Sequence, residues 1–268
     1  MFRHEVVITG IGLATPMGHS LATFEQALFG GGGRWQAVCT AFADPVAGTR
    51  MEGDWTASLD RGQLKIGDAS SHLALLAGAR AVADAGLSAG GSPAPRGYGV
   101  YVGCGSGPTE SVNRAYAEVH TGARMNGLTL LRCMPAGVAS AVALRERFTG
   151  PNVVVASACA SSALAIGEAM RAIRHGYLDG ALAGGTEAPF GDVTVKAWES
   201  LRVLAPPGDD PAEACRPFDR ARQGLALGEG AAFFMLESAE SAARRHRARR
   251  AVGVRCIGRR ASLDGAPP

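Results

Sequence analysis

The sequence predicts an α/β domain in which a sheet is covered by helices on both faces. Three observations lead there. Strand-like and helix-like segments alternate along the chain, the strand segments are continuously apolar, and hydrophobic residues make up 47% of the chain against 19% charged. A strand with helices above and below it needs apolar side chains at every position, which removes the usual polar alternation. The 268 residues suit one large domain, and no repeat or linker divides them. The whole of 1–268 is therefore read as a single domain.

Each element follows from its residues. Segment 5–11 (EVVITGI) is a β-branched run ended by Gly12 and reads as a buried strand. Ser20 offers a helix cap ahead of Leu21, Phe24 and Leu28 at helical spacing, and the glycines at 30–33 stop that helix. No Lys-Ser/Thr follows those glycines, so they read as a flexible loop rather than a phosphate cradle. Residues 34–67 mix aromatics with turn residues and read as irregular. Segment 68–86 (DASSHLALLAGARAVADAG) predicts a helix capped by Asp68 and ended at Gly86, followed by a Gly/Pro/Ser loop over 88–96. Next come a buried strand at 97–103 (GYGVYVG), helices at 109–120 and 135–148, and a Gly150-Pro151 turn. A third buried strand (152–157, NVVVAS) leads into a small-residue helix at 161–175 closed by Gly176, then a short strand at 180–185 (GALAGG). The chain finishes with a strand at 231–236 (AAFFML), a basic, exposed helix at 239–250 and a last strand at 252–257.

Composition narrows function. A net charge of +3, 6% aromatics and no basic stripe interleaved with them argue against a nucleic-acid partner. No run of about 18 apolar residues exists to span a membrane. The start, Met-Phe-Arg-His-Glu, lacks the features of a signal peptide. The six cysteines (39, 104, 133, 159, 215, 256) form no CxxC pair, which speaks against a zinc site or a disulfide frame and for thiols in a reducing cytoplasm. The expected location is cytoplasmic.

Cys159 is the most informative single residue. It stands where the strand at 152–157 hands over to the helix at 161–175, next to unpaired helix N–H groups and the positive end of the helix dipole. Both favour thiolate over thiol, as a nucleophile requires. Its neighbours Ala158, Ala160, Ser161 and Ser162 are small enough to admit a substrate. A free cysteine also packs readily as a small hydrophobe, and the residues alone leave both readings open. For the other five cysteines core packing is the expectation. Gly103, Gly105 and Gly107 alternate rather than follow GxGxxG, so they suggest a tight turn or close backbone packing more than a dinucleotide site.

The stretch 150–189 (GPNVVVASACASSALAIGEAMRAIRHGYLDGALAGGTEAP) closely resembles the active-site region of β-ketoacyl-acyl carrier protein synthases. Three further segments match that family in the same order: VVITGIGLATPMG at 6–18, MPAG at 134–137 and RPFDRARQGLALGEGAAFFMLES at 216–238. The resemblance implies a thiolase-like fold, in which two αβαβα halves form five layers and two chains pair through the first half. This chain corresponds to one such half, with a mixed five-stranded sheet between helices, and the family's C-terminal half is not part of it. Residue by residue, Cys159 matches the nucleophile that takes an acyl group from acyl carrier protein as a thioester, its backbone N–H serving as one oxyanion-hole donor. A decarboxylating malonyl unit then attacks the thioester. No metal, nucleotide or redox cofactor is implied.

The family's two decarboxylation histidines, a lysine and a late glycine-rich loop belong to the second half, and none of the six histidines here (4, 19, 72, 120, 175, 246) sits in their motif. His175 reads as a solvated helix cap, and His72 as packed or exposed rather than catalytic. A single half also leaves an apolar face that favours pairing. Arg61 and Lys65 match the position of a basic docking stretch for the acidic carrier protein, though a solvated basic pair would look the same. PPGDDP at 206–211 stands where a further basic docking residue is expected, which shifts docking toward a partner. The cluster 244–250 reads as solvating its own helix face. Gly184, Gly185 and Glu187 of GGTE, and Gly228, Glu229 and Gly230 of GEG, read as backbone-shaping turns near the nucleophile, Glu187 helping to hold the nearby loop.

Three functions remain: a ketosynthase-type subunit dimerised with a full-length synthase in the manner of a chain-length factor, an acyl-thiol transferase that loads without condensing, and an inactive fragment. Partner subunits that set chain length often replace the cysteine, and its retention here favours an acylation role. The expectation is a ketosynthase-family subunit of fatty-acid or polyketide assembly, dimer-dependent (with a full-length synthase or with itself), acylated at Cys159.

Overall fold

The computed structural model describes residues 4–87 and 97–245. Its centre is a five-stranded mixed sheet formed by β1 (Val6–Ala14), β4 (Gly99–Gly103), β5 (Asn152–Val155), β6 (Gly180–Glu187) and β8 (Gly230–Ser238), in the order β1-β8-β6-β4-β5. β8 runs antiparallel to both β1 and β6, while β6, β4 and β5 are mutually parallel. Successive side chains divide cleanly between two cores. Val100, Val102, Leu182, Phe233 and Met235 face α3 (Ala69–Asp84) and α6 (Gly137–Glu146). Tyr101, Ala181, Ala183 and Leu236 face α7 (Ser161–Arg174) on the other side. That two-residue period, apolar on both faces, is the physical content of a sheet sandwiched between helices. The sandwich and its mixed sheet are as the sequence predicts.

The helix signals correspond closely to the helices. Ser20 caps α1 (Leu21–Phe29) by accepting from the Thr23 N–H, and Asp68 caps α3 by accepting from the Ser70 N–H at 3.2 Å. Gly86, at φ 70°, lies just past the end of α3. α4 (Thr109–His120) has the predicted bounds. Inside the sandwich, α3 rides directly on β1: a methyl group at Gly12 would stand 2.0 Å from the Ala77 carbonyl oxygen, and one at Gly10 2.1 Å from that of Ala81. Only glycine admits the helix at that distance.

Four features depart from the sequence reading. The stretch 34–67 is not irregular: it holds β2 (Gln36–Val38), β3 (Val46–Thr49) and the short helix α2 (Arg61–Ile66). With β7 (Leu227–Gly228) these strands form a second sheet in the order β2-β3-β7, in which Gly48 pairs with Leu227. Strands of two to four residues carry no periodicity of their own; the pairing partner, far along the chain, creates them. Helices α5 (Thr129–Cys133) and α8 (Asp192–Ser200) likewise had no signal strong enough to read. β5 is not a buried strand but the sheet's edge, with Asn152 exposed and Val153, Val154 and Val155 half-buried. Finally, α9 (Ala239–Arg245) buries Ser241 and Ala242 rather than standing free of the body. The loop predicted at 88–96, the rest of the basic helix, and the strand at 252–257 lie outside the described residues.

The close fit of α3 on β1 has a measurable consequence. Gly12→Ala forces backbone apart and should cost about 1–3 kcal/mol or more. Gly167→Ala, on α7 where an added methyl meets nothing within 4 Å, should instead stabilise the fold, by about 1 kcal/mol. Urea midpoints of the two variants would move in opposite directions.

Candidate active site

β5 ends at Val155 and α7 begins at Ser161, so the chain reverses within residues 156–160. Ser161 shapes that reversal: its Oγ accepts from the Ser157 N–H at 2.8 Å and donates to the Ala158 carbonyl at 2.7 Å. Ala158 is held at φ 46°, a left-handed conformation that costs a non-glycine residue about 1–2 kcal/mol. The turn thereby lifts Cys159 out of the sheet, and its side chain is exposed. α7 has no side-chain cap, since its N-cap residue is Ala160, and the positive end of the helix faces this reversal.

The turn reaches this position because the facing strands lack side chains. A methyl group at Gly103 would lie 2.3 Å from both the Ser161 carbonyl carbon and the Ser162 nitrogen, and one at Gly185 would lie 2.5 Å from Ser162 Cβ. Gly184 is equally constrained on its other side, where a methyl would meet the Ala232 carbonyl oxygen at 2.1 Å. Gly184 and Gly185 lie inside β6, in keeping with the strand predicted at 180–185 and against their reading as turns, and Gly228 and Gly230 likewise belong to β7 and β8. Their shared contribution is close approach.

Cys159 borders a cleft of about 750 Å³, whose walls include Ser106, Glu187, Trp198, Leu227 and Phe234. Glu187 accepts from the Gly105 and Ser106 N–H groups at 2.8 and 3.2 Å. It thus holds the loop after β4, as expected, and that loop has spent those two amides on it. Glu229 acts elsewhere. Its Oε1 accepts from the Met51 N–H at 2.7 Å, tying the β7–β8 junction to the end of β3, and burial pushes its carboxyl above the usual range.

The other candidates lie elsewhere. Cys104 is buried, and burial followed by the neighbouring Glu187 carboxylate pushes its thiol up to about 12. Core packing holds for Cys104 but not for Cys39 and Cys215, which are exposed, nor for Cys133, which is half-buried; they sit just past β2, on a loop and on α5, outside the sandwich that buries side chains. Cys256 lies outside the described residues. No described histidine lines the Cys159 cleft. His175 is the C-cap residue of α7 and exposed. His72 borders a separate polar cavity of about 540 Å³ with Arg50, Trp55 and Arg132, and burial holds its imidazole below the ordinary range. Among the described residues no group of three or more His, Cys, Asp or Glu is arranged to hold a metal ion.

Arg61 and Lys65 are both exposed on α2, whose N-terminus Asp60 caps. The fold adds two cations that sequence reasoning missed. Arg132 of α5 donates from Nε to the Lys65 carbonyl at 2.6 Å, and Arg145 of α6 donates to Gln63 Oε1 at 3.3 Å. No local pattern announces them, because each arrives on a different helix.

Comparison with known proteins bears on this arrangement. Residues 3–242 match the family model for the β-ketoacyl synthase N-terminal domain. Nodulation protein E of Rhizobium sp. (strain N33) is 38% identical over 246 residues, covering 90% of this chain and 60% of that protein. A β-ketoacyl synthase from Burkholderia phymatum superposes with a TM-score of 0.77 at 30% identity, covering 91% of this chain and 61% of the other. The ishigamide ketosynthase/chain length factor superposes with a TM-score of 0.76 at 25% identity, covering 91% and 60%. The chain thus spans about three-fifths of the length of these relatives, and the superpositions identify its sandwich as thiolase-like.

Thiol labelling would test the contrast between the two cysteines nearest the cleft. At pH 8 iodoacetamide should modify exposed Cys159 and leave Cys104 untouched, because a thiol titrating near 12 stays protonated there. Cys104 should label only after denaturation, as peptide mapping would show.

Proposed function

The chain belongs to the β-ketoacyl synthase family, and from that premise we propose that it is a ketosynthase-type subunit of fatty-acid or polyketide assembly, acylated at Cys159. The observation that carries the reading is the placement of an exposed thiol on a strained turn at the head of α7, bordering a cleft large enough for an acyl chain. In the proposed step the Cys159 thiolate attacks the carbonyl carbon of an acyl thioester. The tetrahedral oxyanion collapses, a carbon–sulfur bond to the carrier breaks, and the departing thiolate takes up a proton. Backbone N–H groups at the turn, that of Cys159 included, are the donors this chain offers to the oxyanion.

Condensation is a separate matter. Forming the carbanion from a malonyl unit calls for acid–base groups beside the thioester, and no described histidine lines this cleft. We therefore assign acyl loading to this chain and assign the decarboxylation groups to the remainder of an assembly formed with a full-length ketosynthase. Support for pairing comes from the edge strand β5, flanked by exposed Leu144 and Leu164, and from the similarity to a structure described as a ketosynthase with its chain length factor. Exposed strand edges and apolar side chains together favour association. The same lack of histidines supports a second reading, in which the chain passes acyl groups between thiols without condensing them.

Carrier docking would use charge. Arg61, Lys65 and Arg132 form a basic surface around α2, suited to an acidic carrier protein, with the half-buried Arg145 behind them paired to Glu146, while Asp209 and Asp210 are exposed where a cation was expected. Asp210 is partly spent on capping the turn at Pro211–Glu213, accepting from the Ala212 N–H at 2.9 Å.

Two measurements follow. Incubated with an acyl thioester, the protein should gain the mass of one acyl group, and Cys159→Ala should gain none; absence of an adduct across donor lengths would remove the acylation role. The double charge reversal Lys65→Glu with Arg132→Glu should slow loading from an acyl carrier protein about tenfold while leaving loading from a small soluble thioester unchanged, with the difference shrinking at high salt. Equal effects on both donors would assign these residues to folding rather than docking.

A further inference from the structure

Resting on the reading of Cys159 as the acylated thiol, we propose that Glu187 is a positioning residue that clamps the loop 104–107 against the nucleophile turn and so sets where the Cys159 sulfur stands. Glu187 is the last residue of β6, paired with Gly230 of β8, and is therefore anchored in the central sheet. One of its oxygens, Oε2, accepts both the Gly105 and the Ser106 N–H, at 2.8 and 3.2 Å. Among the described residues no backbone carbonyl takes these two amides. Two adjacent N–H groups converging on one carboxylate oxygen are charge-assisted bonds, and they fix the loop's direction as well as its distance.

The loop's other side meets the nucleophile turn. A methyl group at Gly105 would stand 3.1 Å from Glu187 Oε2 and 3.4 Å from the Ala158 carbonyl oxygen, so Gly105 fills the space between the clamp and the residue that precedes Cys159. Ala158 is the residue held in the left-handed conformation. Such a conformation persists only while its surroundings enforce it. Ser161 enforces it from the helix side, through the 2.7 Å bond to the Ala158 carbonyl, and Gly105 of the clamped loop is its neighbour on the other side. Loosening the clamp frees one of the two sides, and the sulfur shifts with the turn. Displacements of about 1 Å at a reacting atom change rates as much as a hundredfold.

A second contact agrees with this placement. The Cys104 thiol, 3.9 Å from Glu187 Oε1, donates toward it, and the carboxylate adds to burial in keeping that thiol protonated. The residue that aims one thiol keeps its neighbour out of the chemistry.

The test uses the full chain and two independent readouts: amide exchange at Gly105 and Ser106, and the rate of Cys159 modification by iodoacetamide and by an acyl thioester. In Glu187→Ala, with circular dichroism and elution volume unchanged, exchange at the two amides should rise about tenfold and both Cys159 rates should fall about tenfold. Glu187→Gln keeps an acceptor oxygen in the same place and should restore all three to within a few-fold of the parent. Parental Cys159 rates in Glu187→Ala, or a Gln variant as impaired as the Ala variant, would overturn the proposal. Should Glu187→Ala not fold, Glu187→Asp replaces it: one methylene shorter, its carboxylate is drawn back from the two amides, and the same fall in Cys159 rates is expected, with unchanged rates counting against the clamp. If no variant, the parent included, forms an acyl adduct while the iodoacetamide rates still follow this order, the acylation reading fails and the positioning role stands.

Discussion

The structure depends on how closely one helix can approach the centre of one sheet. α7 meets β4 and β6 where those strands carry Gly103 and Gly185, and no side chain larger than hydrogen fits at either position. That approach decides where β5 must end, how sharply the chain reverses and which residue is left at the apex. Cys159 is exposed because the helix behind it is close: a helix one methyl farther out would relax Ala158 from its left-handed conformation and let the turn sink back. The same device repeats on the opposite face, where α3 lies on Gly10 and Gly12 of β1. At these strand positions glycine marks contact rather than flexibility.

Close packing leaves little room for unpaired polar groups, and four acidic residues of the interior are spent accordingly. Asp68 takes the Ser70 N–H at the head of α3 and the Ser111 N–H at the head of α4, joining two helices. Glu229 takes the Met51 N–H, and Glu187 those of Gly105 and Ser106. Glu237, wholly buried in β8, accepts from Thr9 Oγ1 at 2.5 Å and from the Tyr98 hydroxyl. Each carboxylate bonds to groups from a different part of the chain. A buried acceptor left unmatched costs about 1–3 kcal/mol, so these bonds set the relative register of elements whose apolar contacts alone would tolerate sliding. The cleft beside Cys159 inherits its shape from that register.

The surface is organised less tightly. The edge of β5, the exposed leucines of α6 and α7, and the cations around α2 are features a lone domain would ordinarily avoid or disperse. The pairing and carrier docking proposed above rest on these same features.

By itself the sequence determined the long elements and the place of the thiol. Alternating apolar strands and helices, the caps Ser20 and Asp68, and the strand-to-helix position of Cys159 are local patterns, and local physics is enough to produce them. It also placed Glu187 beside a loop it could hold. It could not disclose β2, β3 and β7, which exist only as one another's partners; nor that β6 runs on to Glu187; nor that β5 is an edge; nor that Arg132 and Arg145 stand beside α2. Those were decided by tertiary structure, because each depends on a distance between segments far apart in the chain, and such distances are set by how backbones stack in three dimensions rather than by any residue's own preference.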